Sequence, residues 1–144
     1  MYQAILHTHS GLRWIVLILI VAAIFNALTA KGRTEYSKKD RLLNLFAMVS
    51  MHLQVVIGVI LSFTTERVIY HEGWMKSSAS RFFGMEHILM MLIAAVVLTI
   101  GRKKAEKSDD LAKRNKTIVL WYSIGLIIIL AAIPWPFRFG NGWF

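Results

Sequence analysis

The chain contains no cysteine. That absence excludes disulfides, thiolate metal sites, iron–sulfur clusters and covalent c-type haem attachment. Proline occurs only twice, in the cluster Pro134-Trp135-Pro136, and acidic residues number only 8 against 17 lysines and arginines. Low-complexity segments and clear internal repeats are missing as well. So is any nucleophile–base motif of the Gly-x-Ser-x-Gly kind, which removes the usual signature of hydrolytic catalysis. Charged residues make up 17% of the chain. A soluble domain of 144 residues carries more.

What fills the chain is apolar. Hydrophobic residues reach 56% and the mean hydropathy is +0.54. They come in long uncharged blocks, and roughly 20 apolar residues in a helix cross a hydrocarbon core of about 30 Å. Four segments pass that test, at about 5–30, 42–64, 82–102 and 117–134. The expected fold is therefore all-α, an integral-membrane up-down four-helix bundle forming one domain over residues 1–144. The first span has no basic n-region, since its first charge is Arg13, and no cleavage site leads into a soluble domain. It is expected to persist as a permanent helix rather than as a signal peptide.

The net charge of +9 raises the question of nucleic acid. Its distribution answers otherwise. Lys31, Arg33, Lys38, Lys39 and Arg41 lie between the first two spans. Arg102, Lys103, Lys104, Lys107, Lys113, Arg114 and Lys116 lie between the last two. These five and seven make twelve of the seventeen basic residues. Short loops rich in lysine and arginine stay cytoplasmic, so both termini are expected on the periplasmic side. The partner implied is the lipid bilayer with its anionic head groups, and no nucleic acid. Trp135, Phe137, Phe139, Trp143 and Phe144 are expected to form an aromatic anchor at the outer interface, with Trp74, Phe82 and Phe83 at the same level.

Histidines carry the chemistry. Imidazoles within a span are uncommon and face the bundle interior or a cavity. His9 opens the first span, His52 is near the middle of the second, and His87 is inside the outer end of the third. His7 and His71 lie at the outer side. If the outer boundary cuts the helices near Leu6 and Phe82, His9 and His87 fall within about one helical turn of each other in depth. First and third helices are diagonal in an up-down bundle, which is the arrangement that holds a flat macrocycle between two imidazoles. Gly84, at i−3 from His87, would let a porphyrin edge approach, with Met91 at i+4 on the same face. Arg13, one turn from His9, is placed to neutralise a haem propionate, or else to snorkel to the surface. Each imidazole has a plainer explanation too, a hydrogen bond to a neighbouring helix. Zinc or copper is less well served. His7-Thr8-His9 makes a metal pair only if that stretch is extended, because on a helix the two rings diverge.

The run His7-Thr8-His9-Ser10-Gly11-Leu12-Arg13-Trp14 resembles the first-helix entrance of small membrane b-type cytochromes. Met51-His52-Leu53-Gln54-Val55-Val56-Ile57-Gly58 resembles a histidine-bearing helix of the haem A synthase family. Across most of the chain, Met85-Glu86-His87-Ile88-Leu89-Met90-Met91, Ile100-Gly101-Arg102-Lys103 and Ile133-Pro134-Trp135-Pro136-Phe137-Arg138 look like a family of small bacterial four-helix proteins labelled cytochrome B. That resemblance implies the bacterial inner membrane, one haem b with bis-histidine ligation by His9 and His87, and His52 in reserve. It implies electron transfer with a quinol or a respiratory partner rather than a stand-alone enzyme. The alternative is a cofactor-free accessory subunit of a larger membrane complex, for which four short-looped helices are an adequate size. Transport is disfavoured, because inverted repeats and broken helices are not evident.

Overall fold

A computed structural model describes residues 1–30, 32–64 and 72–139, and side chains as far as Phe137. Within them run four long helices: α1 (Tyr2–Leu28), α2 (Lys38–Thr64), α3 (Ser78–Glu106) and α4 (Leu111–Ala132). A 3₁₀ turn, Trp74–Lys76, precedes α3, and a one-turn helix α5, Pro136–Phe139, follows α4. Each of the four long helices is long and apolar enough to cross a membrane. Every helix packs on its chain neighbours and α4 closes the ring against α1. The connections α1–α2 and α3–α4 share one end, here the basic pole. The start of α1 and the end of α4 share the other, here the terminal pole.

Large apolar side chains point outward: Ile18, Phe25, Phe63, Val96 and Ile127 are all more than half exposed. The buried set is smaller-grained, with Ala23, Ala47, Ala94, Ala105 and Ala132 fully enclosed around Ile20, Met51, Leu98 and Tyr122. Small residues at helix contacts let backbones approach closely, a pattern common to helices that associate in lipid. The α3–α4 seam shows it. Gly101 faces Cβ of Trp121, and Gly125 faces the Leu98 side chain, with no room for a methyl group at either.

The basic pole is tied by polar contacts. Ser37 and Asp40 form a reciprocal cap on α2: Ser37 N and Oγ donate to Asp40 Oδ2 at 2.9 and 2.8 Å, and Asp40 N donates to Ser37 Oγ at 3.2 Å. Asn26 at the end of α1 and Arg33 in the loop donate to Asp40 Oδ1 at 2.7 and 2.8 Å. Burial pushes the Asp40 carboxyl up, but the bonds from Asn26, Ser37 and Arg33 outweigh it and hold the group at about 2. Tyr36 donates to Glu106 Oε1 at 3.1 Å and accepts from Asn44 Nδ2 at 2.9 Å, while Arg114 covers its ring at 4.3 Å. Deeper in, the buried Tyr122 hydroxyl donates to Asn44 O at 2.7 Å, a diagonal tie from α4 to α2. Asp110 caps α4 by accepting from Ala112 N and Lys113 N.

Candidate functional site

Near the terminal pole α3 is not a regular α-helix. Residues Phe82–Glu86 wind as a π turn, immediately before His87. Arg81 Nε donates to Glu86 Oε1 at 2.7 Å, a five-residue spacing that fits the wider winding. Single π turns concentrate at functional sites because they re-aim the side chains that follow. One sequence expectation changes here. Phe82 is 2% exposed and packs 5.8 Å from the His87 ring, so it is a wall of the core and not an interfacial anchor. Gly84 lies inside the π turn and is not among the residues lining the cavity beside His87.

His87 reaches across to α4, where its Nδ1 donates to Ala132 O at 2.7 Å. That bond fixes the tautomer and leaves Nε2 without a hydrogen-bond partner among the described residues. His9 comes in from the diagonal helix α1. The two ring centroids stand 6.3 Å apart with planes at 76°. Facing both is a cavity of about 20 Å³, lined by His9, Gln54, Gly58, His87 and Met91 with flanking aliphatic side chains. It has room for about one water.

The second helix holds His9 in place, and this the sequence reading missed. Gln54 Nε2 donates to His9 O at 2.9 Å and lies 3.4 Å from His9 Nε2. Gly58, one turn along, makes space for the ring: a Cβ there would sit 2.8 Å from His9 Cε1. Buried His9 Nδ1 and Gln54 Oε1 have no hydrogen-bond partner among the described residues. Unsatisfied polar atoms in an enclosed core mark a place where something else binds, whether water, ion or cofactor. The signal available in the sequence was Gln54 and Gly58 at i and i+4, one face of a helix.

The remaining candidates fall as follows. Arg13 lies with its guanidinium 5.2 Å from the Trp14 ring centroid and within electrostatic reach of both His9 and His87. His52 is turned away from the pair, exposed on the outside of α2, with Nε2 3.0 Å from Thr99 Oγ1 on α3. His7 is exposed on helical backbone, so His7 and His9 diverge and the extended metal pair is absent. His71 lies outside the described residues. Among the described residues no group of three or more His, Asp or Glu side chains could hold a metal ion.

A haem can be tested against this geometry. Two metal–nitrogen bonds of about 2 Å each, plus two imidazole ring radii, add to about 6 Å between centroids. The His9–His87 spacing fits that sum. Of the donors, His87 fits, anchored through its far nitrogen; His9 Nε2 faces the Gln54 amide, so that contact must be given up for Nε2 to ligate. The space between them does not yet hold a macrocycle, so Val55, Val59, Ile88 and Met91 are the side chains that must yield to one. No family model, curated protein or solved structure matches the chain. The reading of the site therefore stands on its own residues.

Proposed function

We propose that this chain is a multi-pass protein of the bacterial inner membrane that binds one haem b between His9 and His87 and serves in electron transfer. The observation that carries the reading is the 6.3 Å separation of two imidazoles from diagonal helices in the bundle core. A bound haem would supply one-electron chemistry, and two imidazole ligands leave no open coordination position for oxygen. His87 is held for ligation by Ala132 O, and Gln54 anchors the backbone at His9. Arg13 is the cation nearest the pair in sequence and would neutralise a propionate.

The orientation follows the charge: basic pole in the cytoplasm, both ends of the chain outside. The site then lies in the outer half of the bilayer, open to exchange with a quinol or a periplasmic partner. The alternative, a cofactor-free accessory subunit of a larger membrane complex, draws support from the same cavity, which at about 20 Å³ has room for about one water and no macrocycle. Colour separates the two. A sample purified from cells well supplied with haem shows a Soret band and a reducible α-band on the first reading. A colourless sample sinks it.

A further inference from the structure

The π turn in α3 is closed by a hydrogen bond from the His87 backbone N–H to Phe82 O, five residues back. The same two residues meet through their side chains, with ring centroids 5.8 Å apart and Phe82 buried. A third contact spans five residues as well: Arg81 Nε donates to Glu86 Oε1 at 2.7 Å. In an α-helix, at about 100° per residue, position i+5 lies about 140° around the axis from position i. The wider π winding brings the two onto one face, so this ion pair belongs to the π state. Arg81 Nη1 also donates to Met75 O at 3.2 Å, which ties the preceding 3₁₀ turn to the same guanidinium. Downstream, the helix is held against rotation. His87 Nδ1 is bonded to Ala132 O, and Gly101 is seated against Trp121. Rewinding as α-helix therefore turns the upstream residues, by about the 100° of one residue, and carries Phe82 off the imidazole.

We propose that Arg81 and Glu86 form the latch of a gate: their ion pair holds the π turn, and its opening lets the turn rewind as α-helix, swinging Phe82 away and baring His87 toward the terminal pole. The inference rests on the His9–His87 pair being the working site, as proposed above, and not on what fills it. Magnitudes suit a gate. A π turn is the rarer winding, and an ion pair that only this winding allows weighs in its favour. The two charged side chains are 41% and 38% exposed, and a pair of that kind shifts a two-state balance by up to about fivefold. That is too little to weld the turn shut and enough to set how often it opens. The cavity beside the imidazoles has room for about one water, so a larger occupant needs such an opening to reach His87.

The test uses the full chain in lipid nanodiscs. The chain has no cysteine, so Phe82→Cys and, as a control, Ser62→Cys each introduce a single reporter. Both positions are buried, and Ser62 lies on α2. Labelling by a water-soluble maleimide reads how often each becomes exposed. Adding Glu86→Gln should speed labelling at position 82 by up to about fivefold and leave position 62 unchanged. The charge swap of Arg81→Glu with Glu86→Arg should restore the starting rate, a recovery that a merely structural role for Glu86 would not give. Salt is a second lever that changes no residue. At about 1 M it screens the pair, and should speed position 82 with Glu86 in place but not with Glu86→Gln. With Phe82 intact, the ring-proton resonances of His87 should move in Glu86→Gln toward their values in Phe82→Ala. A rate at position 82 that ignores both Glu86→Gln and salt would overturn the proposal, as would equal acceleration at positions 82 and 62. A colourless protein whose position 82 still answers to the pair would remove the haem and keep the latch. A haem protein whose position 82 does not would do the reverse.

Discussion

Removing either core imidazole tests the site at the level of single side chains. His87→Ala and His9→Ala should each abolish the low-spin haem spectrum or convert it to high-spin, read by absorbance of the purified protein. His52→Ala should leave the spectrum unchanged, because His52 stands on the outer face of α2. Loss of haem in His52→Ala alone would move the site to α2 and α3. Gly58→Ala drives a methyl group into His9 Cε1, and overpacking of this kind costs about 1–3 kcal/mol. It should lower haem affinity more than it lowers the melting temperature, since His9 is the group displaced. Arg13→Leu should retain the haem at a lower midpoint potential, because loss of a cation near the iron favours the ferric form. An unchanged potential would reduce Arg13 to an interfacial anchor. The meeting of His9 and His87 was legible in the sequence because ionisable groups stand out against apolar spans. Gln54 and Gly58 were not. Their spacing gains meaning only once the face of α2 that meets His9 is known.

At the scale of the helix, irregular segments decide what the pattern of apolar residues cannot. Hydropathy finds α3 but not its π turn, and so places Phe82 at the interface when it belongs against His87. The α2 cap was likewise not read from the pattern of apolar residues; it rests on Ser37 and Asp40, three residues apart. Asp40 lies in the first turn, ahead of the apolar span, and has a folded-state pKa of about 2. A lowered carboxyl pKa gives stability that is fully present above the unfolded value near 4 and is lost as pH falls toward 2. The melting temperature in detergent should therefore decline between about pH 4 and pH 2, with up to about 2 kcal/mol at stake. Asp40→Asn should lower stability at pH 7 and flatten that decline. An undiminished pH response in Asp40→Asn would assign it to another carboxylate. At the α3–α4 seam, Gly101→Val places a branched side chain against the Trp121 backbone and Cβ, which have little freedom to move. Destabilisation of about 1–3 kcal/mol is expected, measured by thermal melting, with the larger effect at Gly101 than at Gly125, where the neighbour is the flexible end of Leu98.

For the molecule as a whole, length and hydropathy were enough for four helices, because an apolar run long enough to cross hydrocarbon can satisfy its backbone polar groups only within itself. Their cyclic order follows from short loops, and the diagonal meeting of α1 and α3 follows from that order. Orientation depends on charge alone. A reporter fused after Phe144 should read as periplasmic and one inserted near Asp109 as cytoplasmic; the reverse pattern would put the imidazole pair in the inner half. The central claim is that the two imidazoles hold an iron macrocycle, and one spectrum tests it most directly. The native chain, purified from haem-supplied cells and titrated to one equivalent of haem, should give a low-spin Soret band and an α-band that sharpens on reduction, both lost in His87→Ala. A folded, colourless protein that leaves added haem unbound, or a spectrum indifferent to His87→Ala, would contradict it.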